Sequence, residues 1–69
     1  MKRRRVKTDE KIADAIFDRG EAAFSAAKFP QILDDEVRAA GYADDKDIAK
    51  AKTRVALICV IRRRSRRAA

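Results

Sequence analysis

The sequence contains no histidine, no tryptophan, one cysteine, one proline and two glycines among its 69 residues. Without histidine it lacks the commonest metal ligand and the commonest general base. Cys59 is the only thiol, so an internal disulfide is impossible, and neither a zinc site nor a histidine-dependent catalytic triad can be assembled. The composition therefore predicts a protein that is not an enzyme and that uses no metal and no other cofactor.

The short length predicts one small domain over residues 1–69. A chain of this size buries only about 60% of its unfolded surface, so it needs very regular helix packing or a partner subunit. The first residues lack the apolar core of a signal peptide, and no apolar run reaches the roughly 20 residues of a membrane span. We therefore expect a soluble, cytoplasmic protein without a transmembrane segment.

Scarce glycine and proline together with abundant alanine predict an all-α fold. Thr8 is a suitable N-cap for a first helix over residues 9–28. Proline disfavours the α conformation in the preceding residue, so a short second helix should start at Pro30 and end before Gly41. Asp44 is placed to cap a long third helix that continues through the apolar run.

These helices allow two arrangements. If the short second helix acts as a corner, the two long helices run antiparallel and their outer ends meet. An up-down-up bundle would instead place those ends apart. We expect the antiparallel arrangement, because the second helix is about half as long as the others. Gly20 lies inside the predicted first helix and indicates either close approach by another helix or a kink.

Residues 55–61 are apolar on almost every side of the third helix. Two companion helices in a monomer cannot cover such a helix completely. We therefore expect a homodimeric helical bundle, with Cys59 in the core. The expected dimer interface consists of Val55, Leu57, Ile58, Val60 and Ile61. An amphipathic anchor on anionic lipid is an alternative use of the same run.

Charge is segregated along the chain. The eleven acidic residues all lie between Asp9 and Asp47, and residues 8–53 hold only seven basic ones, giving this segment a net charge of −4. In the two flanking segments, residues 1–7 and 54–69, every charged side chain is basic. Antiparallel long helices would gather these into one basic pole, a surface predicted to bind a partner. Its members are Lys2, Arg3, Arg4, Arg5, Arg62, Arg63, Arg64, Arg66 and Arg67.

A charged surface on a scaffold without catalytic groups predicts a regulatory protein that binds other proteins. Tyr42, the only tyrosine, is a candidate anchor for such a partner, because tyrosine is favoured at interfaces. The alternative is an accessory protein that grips DNA or RNA phosphates through its arginine-rich ends. Three aspartates at the start of the third helix disfavour a helix-turn-helix reading, because they would repel the phosphates.

The length and the arginine-, alanine- and aspartate-rich character of the whole chain resemble small early regulatory proteins of bacteriophages. In particular, the chain is similar to the quorum-sensing anti-activators of Pseudomonas phages. That resemblance implies a protein that binds and inhibits host proteins, including a LuxR-type transcriptional activator and a pilus-assembly ATPase. Residues 22–37, AAFSAAKFPQILDDEV, are also similar to the theta subunit of bacterial replicative polymerases. Neither resemblance assigns a role to a particular residue.

Overall fold

The computed structural model describes residues 6–68, and the side chains of residues 6–65. The described part of the chain contains helices and turns but no β-strand, so the all-α prediction is confirmed. Its elements in chain order are α1 (Asp9–Asp18), a single 3₁₀ turn (Glu21–Phe24), α2 (Phe29–Ala39) and α3 (Asp45–Ala68).

The first helix is shorter than predicted. It begins as expected, with the Thr8 hydroxyl accepting a hydrogen bond from the Lys11 amide at 3.2 Å. It ends at Asp18, however, because Gly20 adopts a φ of +93°, which other residues rarely tolerate. A Cβ placed on Gly20 would meet no atom within 4 Å. The predictions of a helix to residue 28 and of close helix approach at Gly20 are therefore wrong.

The predicted ends of the other two helices are confirmed to within a residue or two. Pro30 lies in the first turn of α2. Gly41 follows α2 with a φ of +118°, a conformation that favours glycine. The Asp44 carboxylate accepts a hydrogen bond from the Lys46 amide at 2.8 Å, so Asp44 caps α3. Each of these boundaries rests on backbone chemistry that acts over only a few residues.

Helix α2 runs antiparallel to both of its neighbours. Three residues before its end, Glu36 forms a salt bridge of 2.7 Å with Arg19, which follows the end of α1. Just beyond its last residue, the Ala40 carbonyl oxygen accepts a hydrogen bond from the Lys7 amide, before the start of α1, at 3.1 Å. The turn at residues 40–44 then returns the chain alongside α2 as α3.

Helices α1 and α3 run in the same direction. Arg54 pairs with Asp9 at 2.8 Å, and farther along both segments Arg63 pairs with Glu21 at 3.0 Å. The molecule is therefore an up-down-up bundle, and the expectation of antiparallel long helices is wrong. The reason is the early end of α1. With ten residues in α1 and eleven in α2, the second helix is a full-length neighbour of the first and not a corner.

One hydrophobic core joins the three helices and the 3₁₀ turn. On α3 it ends at Cys59, although the helix continues for nine more residues. Those residues extend α3 by about 13 Å at 1.5 Å per residue, which contributes to the 46 Å length of the molecule. The fully or nearly fully buried residues are Ile12, Ala13, Ile16, Ala23, Leu33, Val37, Ala40, Ile48, Ala51, Val55 and Cys59.

Candidate functional site

The side of α3 that points away from the bundle carries an exposed apolar patch. Leu57, Val60 and Ile61 are 59%, 47% and 54% exposed, respectively. Their spacing of three and four residues places them together on one side of the helix. Lys50 and Arg64, seven residues before and after Leu57, lie on the same side by helical periodicity. We refer to these five residues as the outward face of α3.

The opposite side of α3 is buried. Its core residues recur at three- and four-residue spacing, as Ile48, Ala51, Val55 and Cys59. Val55 is 0% exposed, so it belongs to the core of the single chain and is not available to a second copy. Ile58 is half-buried and packs against the same core. Of the predicted dimer interface, only Leu57, Val60 and Ile61 are open surface.

Arg62 and Arg63 hold α3 against the first part of the chain. Arg62 pairs with Asp14 and lies 5.9 Å from the centre of the Phe17 ring. Arg63 pairs with Glu21 and lies 4.6 Å from the centre of the Phe24 ring. Each guanidinium therefore combines an ion pair with a cation–π contact. These two members of the predicted basic pole serve internal contacts.

An aromatic cluster lies beneath these arginines. The Phe24 ring is 4.8 Å from the Phe17 ring and 5.7 Å from the Phe29 ring, between centroids. Such distances suit favourable aromatic pairing. The cluster joins the end of α1, the 3₁₀ turn and the start of α2, so Arg63 fixes α3 to the segment where the first helix stops.

Tyr42 belongs to a second set of internal contacts. It is half-buried and packs against the core, and its hydroxyl oxygen accepts a hydrogen bond from Arg54 at 3.2 Å. Arg54 also donates to the Asp9 carboxylate, and this hydrogen bond raises the pKa of the Arg54 guanidinium. Through Arg54, Tyr42 therefore connects the turn before α3 to the start of α1. Only part of the ring of this predicted partner anchor is exposed to solvent.

Three members of the predicted basic pole, Arg62, Arg63 and Arg64, have described side chains. Lys7, which follows the N-terminal members in the sequence, lies beside Ala40, at the end of the bundle where α3 begins. Arg62 and Arg63 lie toward the other end of α3. Arg64 is exposed and has no ion-pair partner within residues 6–65. The remaining members, Lys2, Arg3, Arg4 and Arg5 and the side chains of Arg66 and Arg67, lie outside the described part.

Two acidic residues on α2, Asp34 and Glu36, form ion pairs. Asp34 accepts from Arg38 at 2.7 Å and from Lys52 of α3 at 3.4 Å. The hydrogen bond from Arg38 is the main reason that the pKa of Asp34 is lowered. In the part of the chain with described side chains, no three histidine, cysteine, aspartate or glutamate residues lie close enough to hold a metal ion.

Cys59 has the surroundings of a core residue, as predicted. It is 1% exposed, and burial raises the pKa of its thiol. A thiol of this kind is a poor nucleophile at neutral pH. No helix among residues 6–68 is long and apolar enough to cross a bilayer.

Comparison with known proteins adds no relative: the chain matches no protein-family model, no curated protein and no solved structure. The resemblance to phage anti-activators stays a prediction.

The arginine contacts are what sequence reasoning missed. Their partners Asp14, Phe17, Glu21 and Phe24 alternate carboxylate and aromatic groups at spacings of three, four and three, which was a visible signal for a cationic neighbour.

Proposed function

We propose that this chain is a small, non-enzymatic regulatory protein of the cytoplasm, which binds a larger protein and inhibits it. An anti-activator that blocks a transcriptional activator is the type we favour. The outward face of α3 is the observation that carries the proposal. Single exposed apolar residues are ordinary on protein surfaces, but adjoining ones bordered by charge are typical of interaction sites.

The remaining chemistry of the chain supports binding over catalysis. Within the described residues, the one thiol is buried in the core and the arginines beside it are engaged in ion pairs. The carboxylates that face α3 are also paired: Asp14 and Glu21 with those same arginines, Asp9 with Arg54 and Asp34 with Lys52. No nucleophile–base pair is available among them to begin a reaction.

A homodimer is a second candidate for the same surface. In an antiparallel pair of α3 helices related by a two-fold axis near residue 59, Leu57 of one copy would lie opposite Ile61 of the other. Such an isologous contact would cover the exposed patch of both copies. Sedimentation equilibrium over a wide range of concentrations measures this directly, because a dimer would dissociate on dilution and an Ile61→Glu variant would remain a monomer.

Binding to nucleic acid is the remaining alternative. Lys46, Lys50 and Arg64 are exposed basic residues without an ion-pair partner in the described part of the chain. They are available to contact phosphates, and binding of that kind would weaken steeply as salt is added.

Affinity capture tests the proposal against the nucleic-acid alternative. Tagged full-length chain is used to capture proteins from lysate of the source cells, with and without nuclease treatment. We expect a protein that is retained in both conditions and lost with Leu57→Glu. The matched control is Val6→Glu, which alters an apolar residue that is 39% exposed and lies outside α3. Proteins lost on nuclease treatment, together with a salt-sensitive shift of purified DNA, would contradict the proposal.

A further inference from the structure

The charge along α3 has one sign from Ile48 onward. Residues 48–69 of the sequence contain no acidic residue at all. Arg54, Arg62 and Arg63 are balanced by Asp9, Asp14 and Glu21, which belong to other parts of the fold. Lys50 and Arg64 have no such partner among the described residues, so the patch of Leu57, Val60 and Ile61 has an unbalanced cation beyond each end.

This charge argues against a second copy as the main occupant. Pairing two α3 helices along their outward faces would bring Lys50 and Arg64 of both copies to one interface, and neither helix has an acidic residue from Ile48 onward to oppose them. The area is also small, because two convex helices would cover little beyond three half-exposed side chains from each copy. A stable interface usually buries about 800 Å² on each partner.

The spacing of the outward face matches another mode of recognition. Leu57, Val60, Ile61 and Arg64 stand at positions i, i+3, i+4 and i+7, the anchor pattern of a helix that lies in a groove. A groove encloses a helix on more than one side, so it covers more of α3 than another helix can.

We infer that α3 docks as a helix into an apolar groove on a partner protein, and that the rim of this groove is acidic. The apolar floor would receive Leu57, Val60 and Ile61, and rim carboxylates would pair with Arg64 and Lys50. This inference rests on the proposed function and names the chemistry of its partner.

The internal contacts of Arg62 and Arg63 prepare α3 for this role. They fix the helix to α1 and to the 3₁₀ turn on the side away from the outward face. The docking segment is therefore ordered before the partner arrives, and binding does not have to order it. Preorganisation of this kind improves affinity without adding any contact.

The test begins by finding what the outward face touches. Full-length chain with the photo-crosslinking residue p-benzoylphenylalanine in place of Leu57 is expressed in the source cells and irradiated, and the same residue in place of Val6 is the control. Mass spectrometry then identifies the partner and the cross-linked position. We expect a protein that cross-links from position 57 and not from position 6, at a groove with carboxylates on its rim.

The purified partner then tests the charge of the rim. We expect Arg64→Glu to weaken binding by on the order of 10-fold or more at low salt, and we expect the loss to shrink at high salt. The matched control is Lys28→Glu, which makes the same change of charge at an exposed lysine outside α3. It should alter binding by less than about 2-fold, as is usual for a charge distant from the interface. Circular dichroism checks that both variants fold.

Each other outcome overturns the inference. If Arg64→Glu has no larger effect than Lys28→Glu on a partner that does cross-link from position 57, the acidic rim is wrong while the proposed function stands. Cross-linking only to a second copy would show that the outward face binds another molecule of the same chain. Co-sedimentation with phosphatidylserine vesicles, with no protein partner found, would show that it binds a lipid surface. Either result would contradict the inferred groove. If position 57 gives no more cross-linking than the Val6 control, both the inference and the proposed function are contradicted.

Discussion

From Val55 to Arg64, the two sides of α3 are made of the same kinds of residue and have opposite environments. Val55 and Cys59 are buried in the core, whereas Val60 and Ile61, one or two residues farther on, are about half exposed. The arginines divide in the same way, since Arg63 is paired with Glu21 and Arg64 has no partner among the described residues. Residue type therefore says little about burial here, and position around the helix decides it.

The largest expected contrast is in thiol reactivity. An Ile61→Cys variant carries one cysteine on each side of α3, so the two thiols report in the same molecule. Burial raises the pKa of Cys59 and shields it, so we expect its reaction with a disulfide reagent at pH 8 to be roughly 100-fold slower than that of the introduced thiol. Absorbance of the released thiolate measures both phases. Equal rates would mean that the two sides of α3 are equally open.

Two valines on α3 provide the next test. Val55→Ala should lower the free energy of unfolding by about 2 kcal/mol, because it removes two buried methyl groups and leaves a cavity. Val60→Ala makes the identical change on the outward face and should cost less than about 0.5 kcal/mol. Urea denaturation followed by circular dichroism gives both values. A large loss in dilute Val60→Ala protein would place that residue in a core.

Two neighbouring arginines of α3 allow the same test for charged side chains. Arg63→Ala should destabilise the fold by about 1 kcal/mol, since it removes the contact with the Phe24 ring together with the ion pair to Glu21. Arg64→Ala should change stability by less than about 0.5 kcal/mol. Thermal unfolding at two salt concentrations separates the contributions, because added salt weakens the ion pair and leaves most of the ring contact. Equal effects of the two variants would contradict the internal role assigned to Arg63.

The smallest effect concerns Asp34, which joins α2 to α3 through its ion pair with Lys52. Its pKa is lowered mainly by the hydrogen bond from Arg38. The carboxylate therefore stabilises the fold above its unfolded-state pKa of about 4, and the contribution is lost as the pH falls through the lower folded-state value.

Asp34→Asn should accordingly cost a small amount of stability at pH 7 and nothing near pH 2. Urea denaturation at both pH values is the measurement, and Asp35→Asn, one residue farther on and exposed, is the control. A cost for Asp34→Asn that is the same at the two pH values would show that charge is not its cause.

Local features of the fold were predictable because they depend on a few adjacent residues. The N-caps at Thr8 and Asp44 and the stop at Gly41 each follow from hydrogen bonding or backbone freedom within one turn. The end of α1 at Gly20 was not predictable in this way. A single glycine inside an apolar, alanine-rich pattern costs only about 1 kcal/mol in a helix, so the pattern favoured a continuous helix. Packing of the Phe24 side chain beside Phe17 accompanies the turn that replaces it.

The error at Gly20 carried over to the candidate site. A longer first helix made α2 look like a corner, and that arrangement placed both basic ends at one pole. With α1 ended at Asp18, the bundle runs up, down and up, and Arg62 and Arg63 meet Asp14 and Glu21. The residues of the expected dimer interface also lie in two different environments. Val55 is buried in the core, whereas Leu57, Val60 and Ile61 are exposed to solvent.

Local patterns in the sequence are enough to predict that the chain is helical, that its third helix is capped at Asp44 and that this helix carries more apolar surface than one side needs. Which part of that surface is core, which arginines are engaged and which side of α3 stays exposed all depend on contacts between the helices. The two kinds of feature differ in how far along the chain they act. Capping and helical spacing act within a turn, whereas Arg62 and Arg63 find their partners 48 and 42 residues away, once the bundle has formed.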